Sequence, residues 1–319
     1  IIAVTGSAGK TTTKEALRHV LSACGTVHAS AASFNNHWGV PLTLAKMPED
    51  TDYGVFEIGM NHPDEIRPLV KMVRPHVAIV TIIAAAHLGH FRSLEDIAVA
   101  KAEIFEGVVE DGYAVINRDD QRYRKLEHLA KLAGAKNIYG FGEHRLAKFK
   151  LVKYKALPDC SAITARINSI DIAAKIGAPG RHIVQNVLAV LGACWLAGAD
   201  LAKVSMALAT LDAEKGRGRR HRLKVKGGSF TLIDESYNAN PASMAAALDL
   251  AASIPAEGRG RHIAVLGDML ELGKYSRKLH AELAAPIKAA KIDKVLMAGA
   301  EMQALADASR AAGTFSRIG

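Results

Sequence analysis

The residues with the clearest capacity for chemistry are Gly6, Ser7, Ala8, Gly9, Lys10, Thr11 and Thr12, in the opening stretch IIAVTGSAGKTTTKE. Residues 1–4 are short and apolar, as a buried strand is. Residues 5–9 hold the glycines of a tight turn. From Lys10 onward, Ala16, Leu17, Val20, Leu21 and Cys24 recur on one helical face. Strand, glycine turn, Lys-Thr and helix form a layout that holds phosphate. Glycines let backbone N–H groups close on phosphate oxygens, and a helix start adds partial positive charge. Lys10 would reach the β- and γ-phosphates of a nucleotide, and the Thr11 hydroxyl would hold Mg2+. The common motif has a glycine where this chain has Val4, so the form here, TGSAGKTT, is the shorter one. The plain alternative is an ordinary strand–turn–helix corner that contains GKT by chance.

Ligands of open α/β sheets gather at the carboxyl ends of strands. Glu57 ends the stretch GVFEIG, and His87 follows VAIVTII. A carboxylate and an imidazole beside a phosphate loop are candidate Mg2+ or phosphate partners. Magnesium prefers oxygen, so His87 is the weaker of the two. A solvated strand-end carboxylate and an ordinary histidine are the alternatives. Lys101 falls inside the apolar stripe Leu94, Ile97, Ala98, Ile104 and Phe105. Lysine is almost never buried without a partner; it either snorkels to water or serves the site. Asn117-Arg118-Asp119-Asp120 has the look of a guanine-reading Asn-Lys-x-Asp. Arg replaces Lys, and no Asp-x-x-Gly precedes it, so Asn117 and Asp119 are expected to close a turn and cap a helix. In LIDESYNANPASM, Asn240 reads as an N-cap with Pro241 in the first turn. Glu235, Tyr237 and Asn238 would project from the strand end just before it.

These residues need elements to position them. Strand and helix patterns alternate through residues 1–139, which implies a mostly parallel sheet with crossover helices. The expected strands are 26–29, 54–58, 77–82, 113–116 and 137–139; the expected helices are 12–24, 63–72, 93–107 and 120–133. Residues 148–176 alternate, with turns at Pro158-Asp159 and Asn168-Ser169, and read as an antiparallel β patch. Helices 181–196 and 201–211 follow, the first apolar nearly all round and therefore buried. The basic, glycine-punctuated run EKGRGRRHRLKVK (214–226) marks a domain junction. Beyond it, strands 229–234, 262–266 and 294–297 alternate with helices 241–253, 276–290 and 301–312. The expected fold is therefore α/β: a P-loop-type, mostly parallel sheet domain with a small antiparallel β patch (1–214), then a Rossmann-like α/β domain (215–319).

A chain of 319 residues is long enough for two such cores. Its net charge of +9 suits nucleic acid or a small polyanionic substrate. The basic run lacks interleaved aromatics and sits at a junction, which disfavours nucleic acid. Cys24, Cys160 and Cys194 are widely spaced, without metal or disulfide spacing, and fit a reducing cytoplasm. The longest apolar run, 77–86, is too short to insert across a membrane.

Taken together, TGSAGKTTTKE, NNHWGVPLTL, EIGMNHPDEI, AHLGHFRSLEDIAVAKAEI, INRDD, GRHIVQNVLA, IDESYNANPASM and LGDMLELG resemble the Mur ligase family in family order. SYNANP with LGDMLELG narrows the resemblance to the branch that adds D-alanyl-D-alanine. The resemblance implies a cytoplasmic, monomeric, ATP- and Mg2+-dependent amide ligase of peptidoglycan precursor synthesis. The terminal carboxylate of UDP-N-acetylmuramoyl-tripeptide would take the γ-phosphoryl group of ATP. The amine of D-alanyl-D-alanine would attack the acyl phosphate. By the same resemblance, Lys10, Thr11 and Glu57 serve the γ-phosphate and a first Mg2+. His87 and Lys101, a lysine carbamylated in the family, match a second metal site. Asn186 matches an adenine contact, and Arg222 and Glu235 match nucleotide contacts from the C-terminal domain. Asn35, Asn36, Tyr237 and Asn238 match substrate contacts. The chain departs from the pattern at Ile183, where many relatives have Asn, and at Glu235, where many have Asp. The resemblance further implies a UDP-holding N-terminal domain and a longer C-terminal domain, so these 319 residues are expected to be the central domain and most of the C-terminal domain of a longer enzyme. The alternatives are a sister Mur-type or folylpolyglutamate-type ligase adding another amino acid, and a non-catalytic nucleotide-binding switch.

Overall fold

The computed structural model describes residues 1–31, 33–86, 88–157, 159–256, 258 and 260–311. The chain divides into two compact units, Ile1–Ile83 with Phe91–Leu211, and Ala84–His90 with Asp212–Gly319. His87 and Pro158 lie outside the described residues. No helix among the described residues is long and apolar enough to cross a membrane.

In the first unit, the chain runs β1 (Ile2–Thr5), α1 (Lys10–Leu21), β2 (Val27–Ala29), α2 (Gly39–Ala45), β3 (Tyr53–Glu57), α3 (Ile66–Val73) and β4 (Val77–Val80). It continues with α4 (Leu94–Ala102), β5 (Tyr113–Asn117), α5 (Tyr123–Leu132), β6 (Asn137–Gly142), β7 (Phe149–Ala156), β8 (Ser161–Ile167), β9 (Ile170–Ile176), α6 (Arg181–Leu196) and α7 (Leu201–Ala207). All nine strands form one sheet in the order β2-β3-β1-β4-β5-β6-β7-β8-β9. β1 is central, between parallel β3 and β4 (Val4↔Glu57, Val4↔Ile79). Its unbroken apolar sequence is what a strand covered on both faces requires.

The antiparallel patch is not a separate sheet. β7 continues the parallel sheet through Phe141↔Phe149 and Gly142↔Lys150, and β8 and β9 add to it antiparallel. Along β8, Ser161, Ile163, Ala165 and Ile167 are buried in strict alternation, so its period-2 pattern fixes the register. Asn168, at φ 54°, supplies the tight turn into β9. α6 is buried on almost every side, as its sequence requires. Its Gly192 lies against Phe149, whose ring stacks on Tyr139 at 5.3 Å and meets Trp195 edge-on.

The second unit contains β10 (Arg219–Val225), β11 (Gly228–Asp234), α8 (Pro241–Ala252), β12 (Ile263–Gly267), α9 (Ser276–Glu282), α10 (Ala284–Ala289), β13 (Lys294–Ala298) and α11 (Met302–Ala311). β12 and β13 pair in parallel, and Leu248, Leu272, Ile287, Val295 and Leu305 are among the residues of the core. Asn240 closes a full capping box on α8, with Pro241 in the first turn.

Several boundaries differ from the sequence reading for physical reasons. The basic run does not remain a linker: 219–225 form a strand, paired antiparallel from Arg219↔Asp234 to Val225↔Gly228 around Gly227 at φ 89°. Only Leu223 and Val225 alternate with cations, so the cross-strand pairing around Gly227, not periodicity, defines this strand. The helix expected at 276–290 splits into α9 and α10, because Pro286 lacks an N–H and crowds the turn before it. The helix expected at 93–107 ends at Ala102 and tightens into a 3-10 turn, Glu103–Gly107. α2 was not expected; Asn36 Oδ1 starts it by accepting from Trp38 N–H at 3.1 Å and Gly39 N–H at 2.9 Å.

The α6–β7 contact leaves no room for a side chain at position 192. Gly192→Val should lower the unfolding free energy by about 1–3 kcal/mol, because the buried Phe149 ring has nowhere to retreat. Urea unfolding measures this; an unchanged midpoint would show that α6 shifts freely over the sheet.

Candidate functional site

The turn between β1 and α1 is shaped by close approaches. A Cβ on Gly6 would overlap Thr81 Oγ1, so only glycine fits there. That hydroxyl donates to Ala8 O at 2.6 Å, and Ser7 N–H donates to Ile82 O at 2.8 Å. The end of β4 therefore holds the loop. Gly9 takes a left-handed conformation (φ 81°) and precedes α1 with no side-chain cap, which leaves the helix start to other acceptors. Lys10 arches back, its Nζ donating to Gly6 O at 2.8 Å. Thr11 is buried and Thr12 half-buried. On α6, the Asn186 amide lies 2.8 Å from where a Cβ on Gly9 would stand, so Asn186 borders the loop.

Glu57 closes β3 with 1% exposure. Its Oε1 accepts from Asn35 Nδ2 at 2.7 Å, and its Oε2 finds no hydrogen-bond partner among the described residues. Lys101 on α4 is equally buried, at 1% exposure, and its Nζ likewise has no hydrogen-bond partner. It does not snorkel. Burial drives its ammonium well below the ordinary lysine range, and Lys10 adds to that. Glu57, Glu103 and Glu65 pull the other way without reversing it. Lys101 is thus within electrostatic reach of both the phosphate loop and Glu57. The structure brings together Gly6 to Thr12, Asn35, Glu57, Lys101 and Asn186 in one unit. Asn36 spends its side-chain oxygen on α2, and His87 lies outside the described residues.

No group of three His, Cys, Asp or Glu side chains converges among the described residues. A cation here would draw most ligands from phosphate oxygens and water, the usual habit of Mg2+. A buried carboxylate oxygen without a partner, beside a phosphate loop, is a donor that fits such a hard cation.

In the second unit, Arg222 is exposed on β10 opposite Thr231. Glu235 follows β11 with Oε1 near Gly218, and burial raises its carboxyl to about 7 against the opposing pull of Arg217. The Arg217 guanidinium lies 4.1 Å over the Tyr237 ring, which is 55% exposed. Asn238 is exposed and caps its own turn through Ala239 N–H at 2.8 Å.

The Mur ligase middle domain matches residues 4–194, more than half of the chain, and the Mur ligase glutamate ligase domain matches 218–318. The chain belongs to the Mur ligase family. It is 39% identical over 299 residues to the UDP-N-acetylmuramoyl-tripeptide–D-alanyl-D-alanine ligase of Rickettsia prowazekii (strain Madrid E), covering 94% of this chain and 65% of that protein. Among solved structures it is similar to MurF from Acinetobacter baumannii, with a TM-score of 0.89 at 30% identity, covering 99% of this chain and 66% of that one. It is also similar to the MurF ligase of Thermotoga maritima in complex with ADP, with a TM-score of 0.82 at 26% identity over 95% of this chain and 67% of that one. The chain thus spans just under two thirds of the length of the Rickettsia relative.

Within this Mur ligase chain, sequence reasoning missed Thr81, Ser30, Lys14 and Glu103. Glu103 caps the start of α3 from outside, accepting from Asp64 N–H at 2.8 Å and Arg67 N–H at 3.0 Å. That ties the loop after β3 to the end of the Lys101 helix. Lys14 is fully buried, with Nζ donating to Ser30 O at 2.8 Å and pairing with Glu15. The helical stripe through Leu17 and Leu21 could have flagged it, as it flagged Lys101.

Glu235 gives a signed expectation. Between the ordinary glutamate value of 4.5 and about 7, the folded chain keeps a proton that the unfolded chain has released. Stability should therefore fall as pH rises through that interval. Glu235→Gln should remove that component, matching the wild type below pH 4.5 and exceeding it above pH 7. Urea unfolding across pH tests this, and parallel profiles would contradict it.

Proposed function

We propose that this Mur ligase chain binds ATP with Mg2+ and joins D-alanyl-D-alanine to UDP-N-acetylmuramoyl-tripeptide through an acyl phosphate. The observation that carries the reading is the phosphate loop, whose helix start has no side-chain cap, beside two buried atoms with no hydrogen-bond partner among the described residues, Glu57 Oε2 and Lys101 Nζ. The substrates are supported by the activity for which the Rickettsia relative is named, and the nucleotide by the ADP complex of the Thermotoga enzyme.

Phosphoryl transfer asks the protein mainly for positioning and charge neutralisation. The N–H groups of residues 8–12 and the Lys10 ammonium bind the β- and γ-phosphates and take up charge as the γ-phosphoryl leaves, while the Ser7 N–H stays on Ile82 O. Asn186, which borders the loop at Gly9, is assigned to adenine by resemblance alone. Thr11 and Glu57 hold Mg2+, which when bound offsets phosphate charge and orients the transferring group. The tripeptide carboxylate oxygen bonds to the γ-phosphorus as the bond to ADP breaks. The D-alanyl-D-alanine amine then attacks the acyl carbon, loses a proton, and phosphate departs. Lys101 is supported as a carbamate site by its burial and unpartnered Nζ. A neutral amine adds to CO2 and releases one proton, which leaves an anion with two oxygens for a second cation. His87 is assigned to the same cation by resemblance alone. Residues 1–214 form the ATP-binding ligase domain in this reading. Residues 215–319 form the C-terminal domain, supplying Arg222 and Glu235 to the nucleotide and Tyr237 and Asn238 to substrate. The setting is the cytoplasm, with a monomeric enzyme.

The decisive assay is phosphate release that requires ATP, Mg2+, the UDP-tripeptide and D-alanyl-D-alanine together. Release with a different amine would assign a sister ligase, and nucleotide binding with no amine-dependent release would assign a switch. Lys10→Ala should cost about 100-fold or more in turnover. Lys101→Ala should be nearly inactive and partly rescued by acetate. Lys101→Arg should not be rescued, because it keeps a cation where an anion is needed. Wild-type turnover in either Lys101 variant would remove this lysine from the mechanism.

A further inference from the structure

Glu57 is held by more than the strand it ends. Its backbone N–H donates to Ser30 Oγ at 3.3 Å, and its Oε1 accepts from Asn35 Nδ2 at 2.7 Å. Asn35 is itself fixed: its backbone O accepts from Gly59 N–H at 2.8 Å. A Cβ on Gly59 would stand 2.7 Å from Asn35 Oδ1, so the amide occupies the space that a side chain at 59 would fill. The segment between β2 and α2 therefore clamps the end of β3 from both sides of residue 57.

We infer that Asn35 is a positioning residue for cation binding: its amide N–H2 fixes Glu57 so that Oε2 alone is presented to Mg2+ beside the phosphate loop. A carboxylate can bind a cation through either oxygen or both, and its side chain can turn about three torsions. One donor at 2.7 Å engages Oε1 and removes that freedom, while Oε2 keeps no partner. A neutral amide suits this work. It donates to the carboxylate without adding the positive charge that would repel a cation, as a lysine or arginine there would. The clamp also gives one oxygen of the buried carboxylate a hydrogen-bond donor. This inference rests on the cation reading of Glu57 given above, and it moves Asn35 from touching substrate to acting through Glu57.

The test separates that reading from this inference. ATP affinity of the 319-residue chain is measured by calorimetry in EDTA and across a Mg2+ titration, with Mn2+ binding followed by electron paramagnetic resonance. The variants are Asn35→Leu, which keeps the volume and removes the donor, Glu57→Ala, and the pair together. Asn35→Leu is expected to weaken the Mg2+-dependent part of ATP binding about tenfold, the usual effect of losing a partner of a metal ligand. Affinity in EDTA should stay at the wild-type value, while the melting temperature should fall, because Oε1 of the buried Glu57 loses its donor. In the Glu57→Ala background, Asn35→Leu should add nothing, since its effect passes through that carboxylate. Additive losses would overturn the inference and return Asn35 to an independent contact. Equal losses with and without Mg2+ would make it a purely structural residue. If Glu57→Ala leaves Mg2+ dependence unchanged, the cation reading of Glu57 fails and this inference falls with it.

Discussion

Glu57 and Lys101 are kept out of water in the same unit, each with one polar atom that has no hydrogen-bond partner among the described residues, and the elements around them answer to that constraint. An isolated ion in a protein interior is expensive, and breaking the partnership of a buried charge typically costs several kcal/mol. Lys101 meets the cost by resisting its charged form: desolvation outweighs the pull of Glu57, Glu103 and Glu65. Glu57 meets it by taking one strong hydrogen bond on Oε1 while Oε2 takes none. Neither arrangement would survive on a loose scaffold. Glu57 ends a strand inside a nine-stranded sheet, and the start of α3 is capped from the end of the Lys101 helix by Glu103. Strain and unmet polarity persist where the surroundings over-determine them, and such places cluster at functional sites.

The phosphate loop was legible because everything it needs is contiguous. Residues 6–12 carry the glycines, the lysine and the hydroxyls, and their local pattern already fixes strand, turn and helix. What grips the loop was not legible. Thr81 reaches Ala8 across 73 positions, Glu103 reaches Asp64 across 39, and Asn35 reaches Glu57 across 22. Contacts of that span follow from strand order, and strand order is not a periodicity. The motif NNHWG drew attention to Asn35 and Asn36, but its pattern could not show that one amide holds a carboxylate and the other starts a helix.

The fold divides in the same way. α6 falls at 181–196 in both readings, because its apolar run is long and Gly180 precedes it. The β8–β9 turn falls at Asn168-Ser169, because local chemistry dictates it. The errors came where local signals were absent or competed. In 219–225, four consecutive basic residues carry no strand period, and the strand exists through its residue-by-residue pairing with β11. In 276–290, the apolar helical period ran through Pro286, and the break won. The sheet added the third kind of surprise. Nothing local distinguishes an antiparallel patch that stands alone from one that extends a parallel sheet through two residue pairs at β6 and β7.

Lys14 and Lys101 show most sharply what a sequence pattern can and cannot decide. Each sits on the apolar stripe of its helix, and each is buried to within 1% of complete. Periodicity flagged Lys101, and the same pattern, unread, holds for Lys14. Lys14 resolves it internally, with Ser30 O as acceptor and Glu15 as counter-charge, so its cation braces α1 against the end of β2. That Ser30 also touches the backbone of Glu57 places the brace one step from the site. Lys101 resolves nothing internally; its Nζ has no acceptor among the described residues, and burial disfavours its charged form. A buried lysine with partners is scaffolding, and substitution by methionine would be felt as a loosened sheet edge. A buried lysine without them gains nothing for the fold, and the same substitution would relieve an energetic burden while removing the nitrogen. The identity of the residue and its place on the helix are equal in the two cases. The difference lies in what the tertiary structure sets within hydrogen-bonding distance of the nitrogen, and that difference separates the structural lysine from the one proposed to act.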